Sequence, residues 1–274
     1  MFKNFFYIIW KYLGIRQIEK SLSILILNEE YKKTKYQKEK ILIKSGFKIF
    51  SQQDEDGIIE EIFKRIGTKN KKFLEVGVET GAECNTTYLL LNNWSGAWVE
   101  SNNKYETKIK NNFNKFIERK NLKIVFKKVN PDNINDVISD LFKKDEDIDL
   151  LSIDIGVHTF HTLKEIEYIK PRVVVTEYNS KYGPSMIWES EYNKNAEWDG
   201  SDNFGASLKS FQKMMENKKY KLVSCNITGA NAFFIREDLI NDLFENNYES
   251  ENHFVEGKNW LKLAFEKDYK SKFN

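Results

Sequence analysis

The sequence predicts an α/β fold, a three-layer sandwich in which a mostly parallel, seven-stranded sheet lies between two layers of helices. From residue 55 onward, short β-rich runs alternate with amphipathic helical stretches, as in parallel strands joined by crossover helices. The last two runs are joined by a short turn, so they must pair antiparallel. With 274 residues, of which 41% are hydrophobic, the chain is long enough for one large domain with its own core.

Five β-rich runs form the parallel part of the predicted sheet. Between them lie helical candidates near residues 83–92, 103–118, 133–143 and 159–169. Pro171 stands directly before the fifth run and ends the helix that precedes it. The five runs span residues 72–76, 97–100, 122–126, 148–154 and 172–177.

Beyond the fifth run the pattern changes. Residues 179–204 show little periodicity, and a connection of that length usually serves as a lid or a substrate-binding loop. A helix near 205–218 and strands near 220–225 and 231–236 follow, so the terminal strand is predicted to be antiparallel. The loop carries aromatic side chains that suit either the face of a sugar or simple packing, namely Trp188, Tyr192 and Trp198.

Two extensions flank the predicted domain, which covers residues 51–238. Residues 1–50 contain one or two helices, and residues 239–274 are expected to form a helical carboxyl-terminal extension.

The amino-terminal 14 residues are aromatic and apolar but include Lys3 and Lys11. The segment is too short to span a bilayer and lacks a small-residue cleavage site. Two interpretations stay open: packing on the body of the protein or on a second subunit of a homo-oligomer, or peripheral contact with the inner face of the membrane.

Charge and cysteine usage narrow the class of protein. Acidic and basic residues nearly cancel, leaving a formal charge of +2, which argues against a nucleic-acid partner. Cys84 and Cys225 are far apart and form no CxxC pair, so neither a zinc site nor a disulfide is indicated. We therefore expect a cytoplasmic protein.

The strongest motif is FLEVGVETG at residues 73–81, where a strand ends in Glu75 and a loop follows between Gly77 and Gly81. Glycines allow the sharp turn and the close approach of a ligand. The middle position of a dinucleotide-binding loop is here Glu79, whose charge would repel a diphosphate. The pattern therefore favours a ligand without phosphate.

Glu100 ends the next strand, where a carboxylate can accept both hydrogen bonds of a ribose diol. S-adenosylmethionine carries a ribose, a sulfonium and an ammonium but no phosphate, so an acidic loop suits it. We predict this cofactor.

Further acceptors follow the third and fourth strands, at the sheet edge where ligands of open α/β sheets bind. Asn130 and Asp132 are candidates for the adenine edge, although a helix cap at Asp132 or Asn133 explains the same residues equally. Asp154 is a candidate for contact with the cofactor's amino group or with the acceptor, or else a helix cap.

Catalytic candidates cluster after the fourth strand. His158 and His161, three residues apart at a predicted helix start, are candidate bases together with Asp154. A divalent metal held by Asp154, Glu177 and Asn179 is a weaker alternative, since hard oxygen ligands suit such an ion.

Several blocks in the same order resemble the FkbM-like S-adenosylmethionine-dependent methyltransferases, whose fold is Rossmann-like, over roughly residues 50–238. The resemblance implies cofactor contacts from the predicted glycine-loop residues and from Glu100, and it implies that Gln52 and Asp56 help to close the site over the methionine end of the cofactor. The blocks are Ser51-Gln52, Glu55-Asp56-Gly57-Ile58-Ile59, FLEVGVETGAECNT, GAWVES, LLSIDI, PRVVVTEYNSKYGP, GASL and NAFFIRED.

The resemblance extends to Glu83, Asn85 and Thr86, which are either cofactor contacts or a local capping network. One position departs from the family pattern: Gly156 stands where related sequences often carry a second acid.

Together these patterns predict a methyltransferase that O-methylates a cell-surface glycan or a sugar-linked precursor, with a small-molecule or glycan substrate. The alternative from another class is a non-catalytic module that binds adenosylmethionine or a partner protein, which Gly156 favours. An NAD-linked oxidoreductase is disfavoured by Glu79.

Overall fold

A computed structural model describes residues 14–266 and contains one seven-stranded sheet in the order β3-β2-β1-β4-β5-β7-β6. The first five strands pair parallel, and β7 pairs antiparallel with both β5 and β6. This is the predicted Rossmann-like α/β sandwich. The strands are β1 Lys72–Val76, β2 Ser95–Glu100, β3 Leu122–Phe126, β4 Leu150–Ile153, β5 Val173–Glu177, β6 Tyr220–Cys225 and β7 Asn231–Arg236.

Helices flank the sheet on both faces, and several are shorter than the sequence predicts. The helix after β1 begins at Thr87 rather than near residue 83, because the preceding backbone is held as a loop. The α-helices are α1 Ile15–Tyr31, α2 Glu55–Ile66, α3 Thr87–Leu91, α4 Glu106–Glu118, α5 Ile134–Ser139, α6 Thr159–Glu165, α7 Leu208–Asn217 and α8 Ser250–His253.

Helix α2 was not among the predicted helices, although its apolar residues lie on one helical face. Ile58, Ile59, Ile62 and Phe63 are all buried against the sheet. Its first turn carries Glu55 and Asp56, both buried, which the sequence alone does not indicate.

Both faces of the sheet are covered, so the strands carry nearly continuous apolar runs. On one face Leu74 and Val76 pack in a cluster with helices α5, α6 and α7; on the other, Phe73 and Trp98 pack with α2 and α4. This arrangement leaves the carboxyl ends of the strands open for a ligand.

The flanking segments pack against each other. Helix α1 contacts a 3₁₀ segment at Asn259–Phe265. The carboxyl-terminal segment, expected to be helical, consists in its described part of short helical pieces joined by irregular chain. Within residues 14–266 no helix is long and apolar enough to cross a membrane, and most of the predicted membrane-contact segment 1–14 lies outside the described residues.

Candidate cofactor site

The loop after β1 needs both of its glycines. Gly77 has φ +89°, and a Cβ there would lie 1.8 Å from the carbonyl oxygen of Asp154, so the ends of β1 and β4 can approach only around glycine. Gly81 has φ +75°, and a Cβ there would meet Trp98 at 2.5 Å and Phe113 at 2.7 Å. Gly81 therefore packs on the core beneath the loop and does not line the cavity above it.

Glu75 fixes the next part of the same loop. Its carboxylate accepts the backbone N–H groups of Asn85 and Thr86, each at 3.0 Å, and the hydroxyl of Ser152 at 3.1 Å. The hydroxyl of Thr86 also donates to Glu75 and accepts the indole N–H of Trp98 at 2.8 Å. Burial raises the pKa of Glu75, while these donors act to lower it. Of the two interpretations for Asn85 and Thr86, these contacts support the local capping network.

Glu100 joins the end of β2 to the loop after β1. One carboxylate oxygen accepts the backbone N–H of Glu79 at 2.6 Å, and the other accepts the N–H of Asn102 at 2.8 Å and the hydroxyl of Ser101 at 3.3 Å. A carboxylate offers about four lone-pair positions, so capacity remains for a ligand hydroxyl.

These elements surround a cavity of about 490 Å³ at the carboxyl ends of β1, β2 and β4. Five of its lining side chains are carboxylates, and no lysine or arginine of the described chain lines it. Lys48 lies outside the lining, where its Nζ donates to the carbonyl oxygen of Gln52 at 2.8 Å and lies 3.7 Å from the carboxylate of Glu83. The cavity therefore attracts cations and repels phosphates. The carboxylates are Glu75, Glu79, Glu83, Glu100 and Asp154.

Asp154 and Glu177 form a pair of carboxyl groups at the wall of this cavity. They follow Ile153 and Thr176, which are register partners in β4 and β5, so they are neighbours at the sheet edge. Asp154 is accessible in the cavity, but the surrounding protein raises its pKa. The pKa of Glu177 is raised well above its usual range by burial and by the charge of Asp154, to which it is hydrogen-bonded. Two neighbouring carboxyl groups whose pKa values are both raised resist carrying two negative charges at once.

Gln52 and Asp56 were predicted to close the site, and the structure separates them. Gln52 lines the cavity. Asp56 is buried away from the cavity lining, where one oxygen accepts the N–H groups of Ile49 and Phe50 at 2.7 Å and of Ser51 at 3.0 Å. Burial raises the pKa of Asp56 to about 6. Asp56 thus fixes the backbone of residues 49–51, which directly precede Gln52.

Asn130 and Asp132, predicted to hold the adenine, do not line the cavity. The side chain of Asn130 accepts the N–H of Asp132 at 2.9 Å, and Asn133 in turn caps the N–H of Asn130. The carboxylate of Asp132 pairs with exposed Lys194 at 2.9 Å. These bonds hold the turn before α5; Asn133 occupies the N-cap position of that helix, but its side chain makes no capping hydrogen bond to it.

The two histidines are also not part of the cavity lining. Nε2 of His158 contacts the carbonyl oxygen of Ala196 at 2.9 Å, and Nε2 of His161 contacts that of Ser190 at 2.8 Å. Because a carbonyl only accepts, each Nε2 carries its proton and donates it. Burial lowers the pKa of His158, so its ring is neutral. Each imidazole is hydrogen-bonded to the 190–196 backbone and does not line the cavity.

Of the three candidate metal ligands, Asp154 and Glu177 are neighbours, but Asn179 is engaged elsewhere. Asn179 donates to the carbonyl oxygens of Asp202 at 2.7 Å and Phe204 at 3.0 Å, which commits its side chain to the long loop. Across residues 14–266 no group of three histidine, cysteine, aspartate or glutamate side chains is arranged to hold a metal ion.

The aromatic residues of the 179–204 loop serve mainly in packing. Trp188 stacks on Tyr182 with ring centroids 4.0 Å apart, and Tyr192 lies against the two histidines. Trp198 is 63% exposed, with its indole N–H on the carbonyl of Ser201. Trp198 is thus the most accessible of the three predicted sugar-stacking residues.

Several lining residues were not predicted from the sequence. Most of them lie in the loops that follow β1, β2 and β4, whereas Ser152 lies within β4 and Asn231 begins β7. They are Thr80, Ser101, Asn102, Tyr105, Ser152, Ile155 and Asn231.

Comparison with solved structures found several methyltransferases at low sequence identity. Magnesium protoporphyrin IX methyltransferase from Synechocystis PCC 6803, with S-adenosylmethionine bound, is 8% identical, with 68% of this chain and 79% of that chain covered at a TM-score of 0.44. A Podospora anserina methyltransferase bound to S-adenosylhomocysteine is 15% identical, with 65% and 76% covered at a TM-score of 0.43.

A Clostridium acetobutylicum S-adenosylmethionine-dependent methyltransferase is 10% identical, with 65% of this chain and 89% of that chain covered at a TM-score of 0.40. This chain spans only 60% of the length of the matched protein from Galdieria sulphuraria. No family model and no curated protein matches the sequence. At these identities the likeness concerns the fold, and the chemistry must be inferred from the cavity itself.

Proposed function

We propose that this protein is an S-adenosylmethionine-dependent methyltransferase. The observation that carries the proposal is the cavity at the carboxyl ends of β1, β2 and β4, which five carboxylates line and which no basic side chain of the described chain lines. A dinucleotide or nucleotide triphosphate would find no partner for its phosphates there. The positive charges of a ligand with a sulfonium and an ammonium complement the negative charge of the cavity lining.

The residues present fit this cofactor. Glu100, at the end of β2, retains acceptor capacity for one hydroxyl of a ribose. Asn102 and Tyr105 follow it along the same wall, and Glu75 and Asp154 supply negative charge at the opposite end. When bound, the cofactor supplies an electrophilic methyl group. Since such a displacement depends mainly on alignment, the main task of the protein is to position both reactants.

We further propose Asp154 as the base for a hydroxyl acceptor. Its carboxylate is accessible in the cavity, whereas the two histidines are committed to the loop. A hydrogen bond from Glu177 acts to lower the pKa of Asp154 and so favours its ionised form. Asp154 then takes the proton of the acceptor hydroxyl as that oxygen receives the methyl group.

The finer proposal is an O-methyltransferase for a glycan or sugar-linked precursor. Its support is the resemblance of residues 50–238 to FkbM-like methyltransferases, together with the exposed indole of Trp198. A sugar hydroxyl also matches an acceptor that needs a carboxylate base.

Calorimetry with S-adenosylmethionine, S-adenosylhomocysteine, NAD and ATP tests the proposal. We expect micromolar-range binding of the first two and none of the phosphate-bearing ligands. Tight NAD binding would overturn it. Cofactor binding without methyl transfer to any extracted glycan precursor would favour the non-catalytic module.

A further inference from the structure

A second cavity lies at the amino edge of the sheet, opposite the candidate cofactor site. Its volume is about 380 Å³, which is within the usual range for small-molecule sites. Among its lining residues, Pro171 precedes β5, Tyr220 begins β6 and Arg236 ends the antiparallel β7, so all three lie at the amino end of β5. The proposed methyl transfer does not use this cavity.

The inner wall of the second cavity is apolar. Leu151 of β4 and Val174 of β5 are register partners, and both are almost fully buried. Apolar residues at the ends of α6 and α7 and in the loop before β5 complete the wall. They are Leu163, Ile166, Ile169, Pro171 and Met215. A ligand that fills this cavity therefore has an apolar body.

One lysine side chain brings positive charge to this apolar wall. Lys218 directly follows α7, is half-buried, and donates from Nζ to the carbonyl oxygen of Ile166 at 3.0 Å. Burial lowers the pKa of Lys218 because its ammonium loses contact with water. Among the described residues no carboxylate is close enough to this ammonium to form an ion pair. The bond to Ile166 uses one of the three ammonium donors, so two remain for a ligand.

The other charged residues of the lining are paired or exposed. Lys170 and Arg236 each pair with an aspartate outside the lining. Lys219 is exposed, as is Glu167, the one acidic residue that lines this cavity in the described chain. A ligand with a single negative charge fits this balance better than a doubly charged phosphate, which Glu167 would repel more strongly.

We propose that this cavity binds the anion of a medium-chain fatty acid, with the carboxylate on Lys218 and the alkyl chain along Leu151 and Val174. Two observations carry the proposal. A half-buried ammonium without an ion pair is stabilised by a bound counter-ion, and the apolar wall is stabilised when an alkyl chain covers it. Because the two cavities lie at opposite edges of the sheet, the fatty acid and the methyl donor can be bound together.

Calorimetry of the full chain with decanoate, decan-1-ol and decyltrimethylammonium tests the proposal. The three probes share one alkyl chain and differ in the charge of the head group. We expect decanoate to bind at least about tenfold more tightly than the alcohol, which makes no charged hydrogen bond with the ammonium of Lys218. We expect no saturable binding of the cationic probe. S-adenosylhomocysteine should not displace decanoate.

Substitutions in the lining test the role of its charges. Lys218→Met keeps the apolar stem and removes the ammonium, so decanoate should bind only as tightly as the alcohol does. Glu167→Gln, at an exposed position, removes the acid of the lining and should tighten decanoate binding by a few-fold. Thermal unfolding establishes that the variants fold, and Glu167→Gln keeps the test decisive if Lys218→Met does not.

The matched control is Lys35→Met. Lys35 is also half-buried, its pKa is also lowered by burial, and its Nζ donates to the carbonyl oxygen of Phe254 at 3.0 Å. It does not line the second cavity. Decanoate binding should therefore be unchanged in this variant.

Three outcomes would overturn the proposal. One is the absence of saturable decanoate binding by the unmodified chain. Another is equal affinity for decanoate and the alcohol, or an unchanged affinity for decanoate in Lys218→Met, which would show an apolar hollow without an anion site. The third is displacement of decanoate by S-adenosylhomocysteine, which would place the fatty acid in the cofactor cavity. None of these measurements depends on methyl transfer, so the proposed function is tested separately.

Discussion

The carboxylate of Glu100 accepts the backbone N–H of Glu79 at 2.6 Å, so the end of β2 fixes the loop that follows β1. The same carboxylate accepts the N–H of Asn102 on its other oxygen. Glu100 thus aligns two backbone segments of the cavity wall before any ligand binds. In the proposed function its remaining lone-pair position accepts a ribose hydroxyl.

We expect Glu100→Gln to weaken binding of S-adenosylhomocysteine about 10- to 100-fold. The amide loses a charged acceptor, and hydrogen bonds to charged groups contribute roughly 1.5–3 kcal/mol. Calorimetry measures the change. Glu106→Gln, at the start of α4 and outside the cavity lining, is the matched control and should bind normally. An unchanged affinity in Glu100→Gln would remove the ribose assignment.

Gly77→Ala should destabilise the fold far more than Gly156→Ala. Both glycines have positive φ, but a Cβ at Gly77 meets the carbonyl of Asp154 at 1.8 Å, whereas a Cβ at Gly156 has no atom within 4 Å. Gly156→Ala should cost about 1–2 kcal/mol for the left-handed backbone alone. Gly77→Ala adds a backbone clash that forces β1 and β4 apart. Urea unfolding compares the two, and equal losses would contradict the steric explanation.

The sheet could be predicted because the strands are buried on both faces and so stand out as apolar runs. The strands 72–76, 122–126, 220–225 and 231–236 begin and end where the sequence predicts. The loop between Gly77 and Gly81 could also be predicted, because only glycine tolerates a backbone approach as close as the one at Gly77. The sequence does not show that the acidic first turn of α2, which was not among the predicted helices, is buried.

The site was harder to predict because the sequence does not show which carboxylates already accept hydrogen bonds from the protein itself. Glu75 and Glu100 hold loops as well as lining the cavity. The histidines are close to Asp154 in sequence, but the backbone of residues 190–196 folds back onto them. Such long-range closure leaves no local signal in the sequence.

His158 should stabilise the loop of residues 179–204 rather than serve as a catalytic base. His158→Gln keeps an N–H donor near the carbonyl of Ala196, whereas His158→Ala removes it. We expect faster proteolytic cleavage within residues 179–204 in the alanine variant and near-normal cleavage in the glutamine variant. Cofactor affinity should be unchanged in both. If both variants lose turnover equally while the loop stays protected, the imidazole is the base after all.

The charge of Asp154 should make the affinity for the methyl donor depend on pH. The pKa of Asp154 is raised by the surrounding protein, so its carboxylate ionises only as the pH rises above the ordinary range of an aspartate. Ionisation places a negative charge in the cavity and favours the sulfonium of S-adenosylmethionine over the neutral sulfur of S-adenosylhomocysteine. We expect the ratio of the two affinities to increase by a few-fold to about tenfold across this titration, since water in the cavity screens the interaction. Calorimetry with both ligands over a pH series measures the ratio of affinities, in which the contribution of the ammonium group cancels because both ligands carry it.

Asp154→Asn should flatten the pH dependence of this ratio, whereas Asp132→Asn, at an exposed ion pair outside the cavity, should leave it intact. A ratio that changes equally in the Asp154→Asn variant would assign the titration to another carboxylate of the cavity.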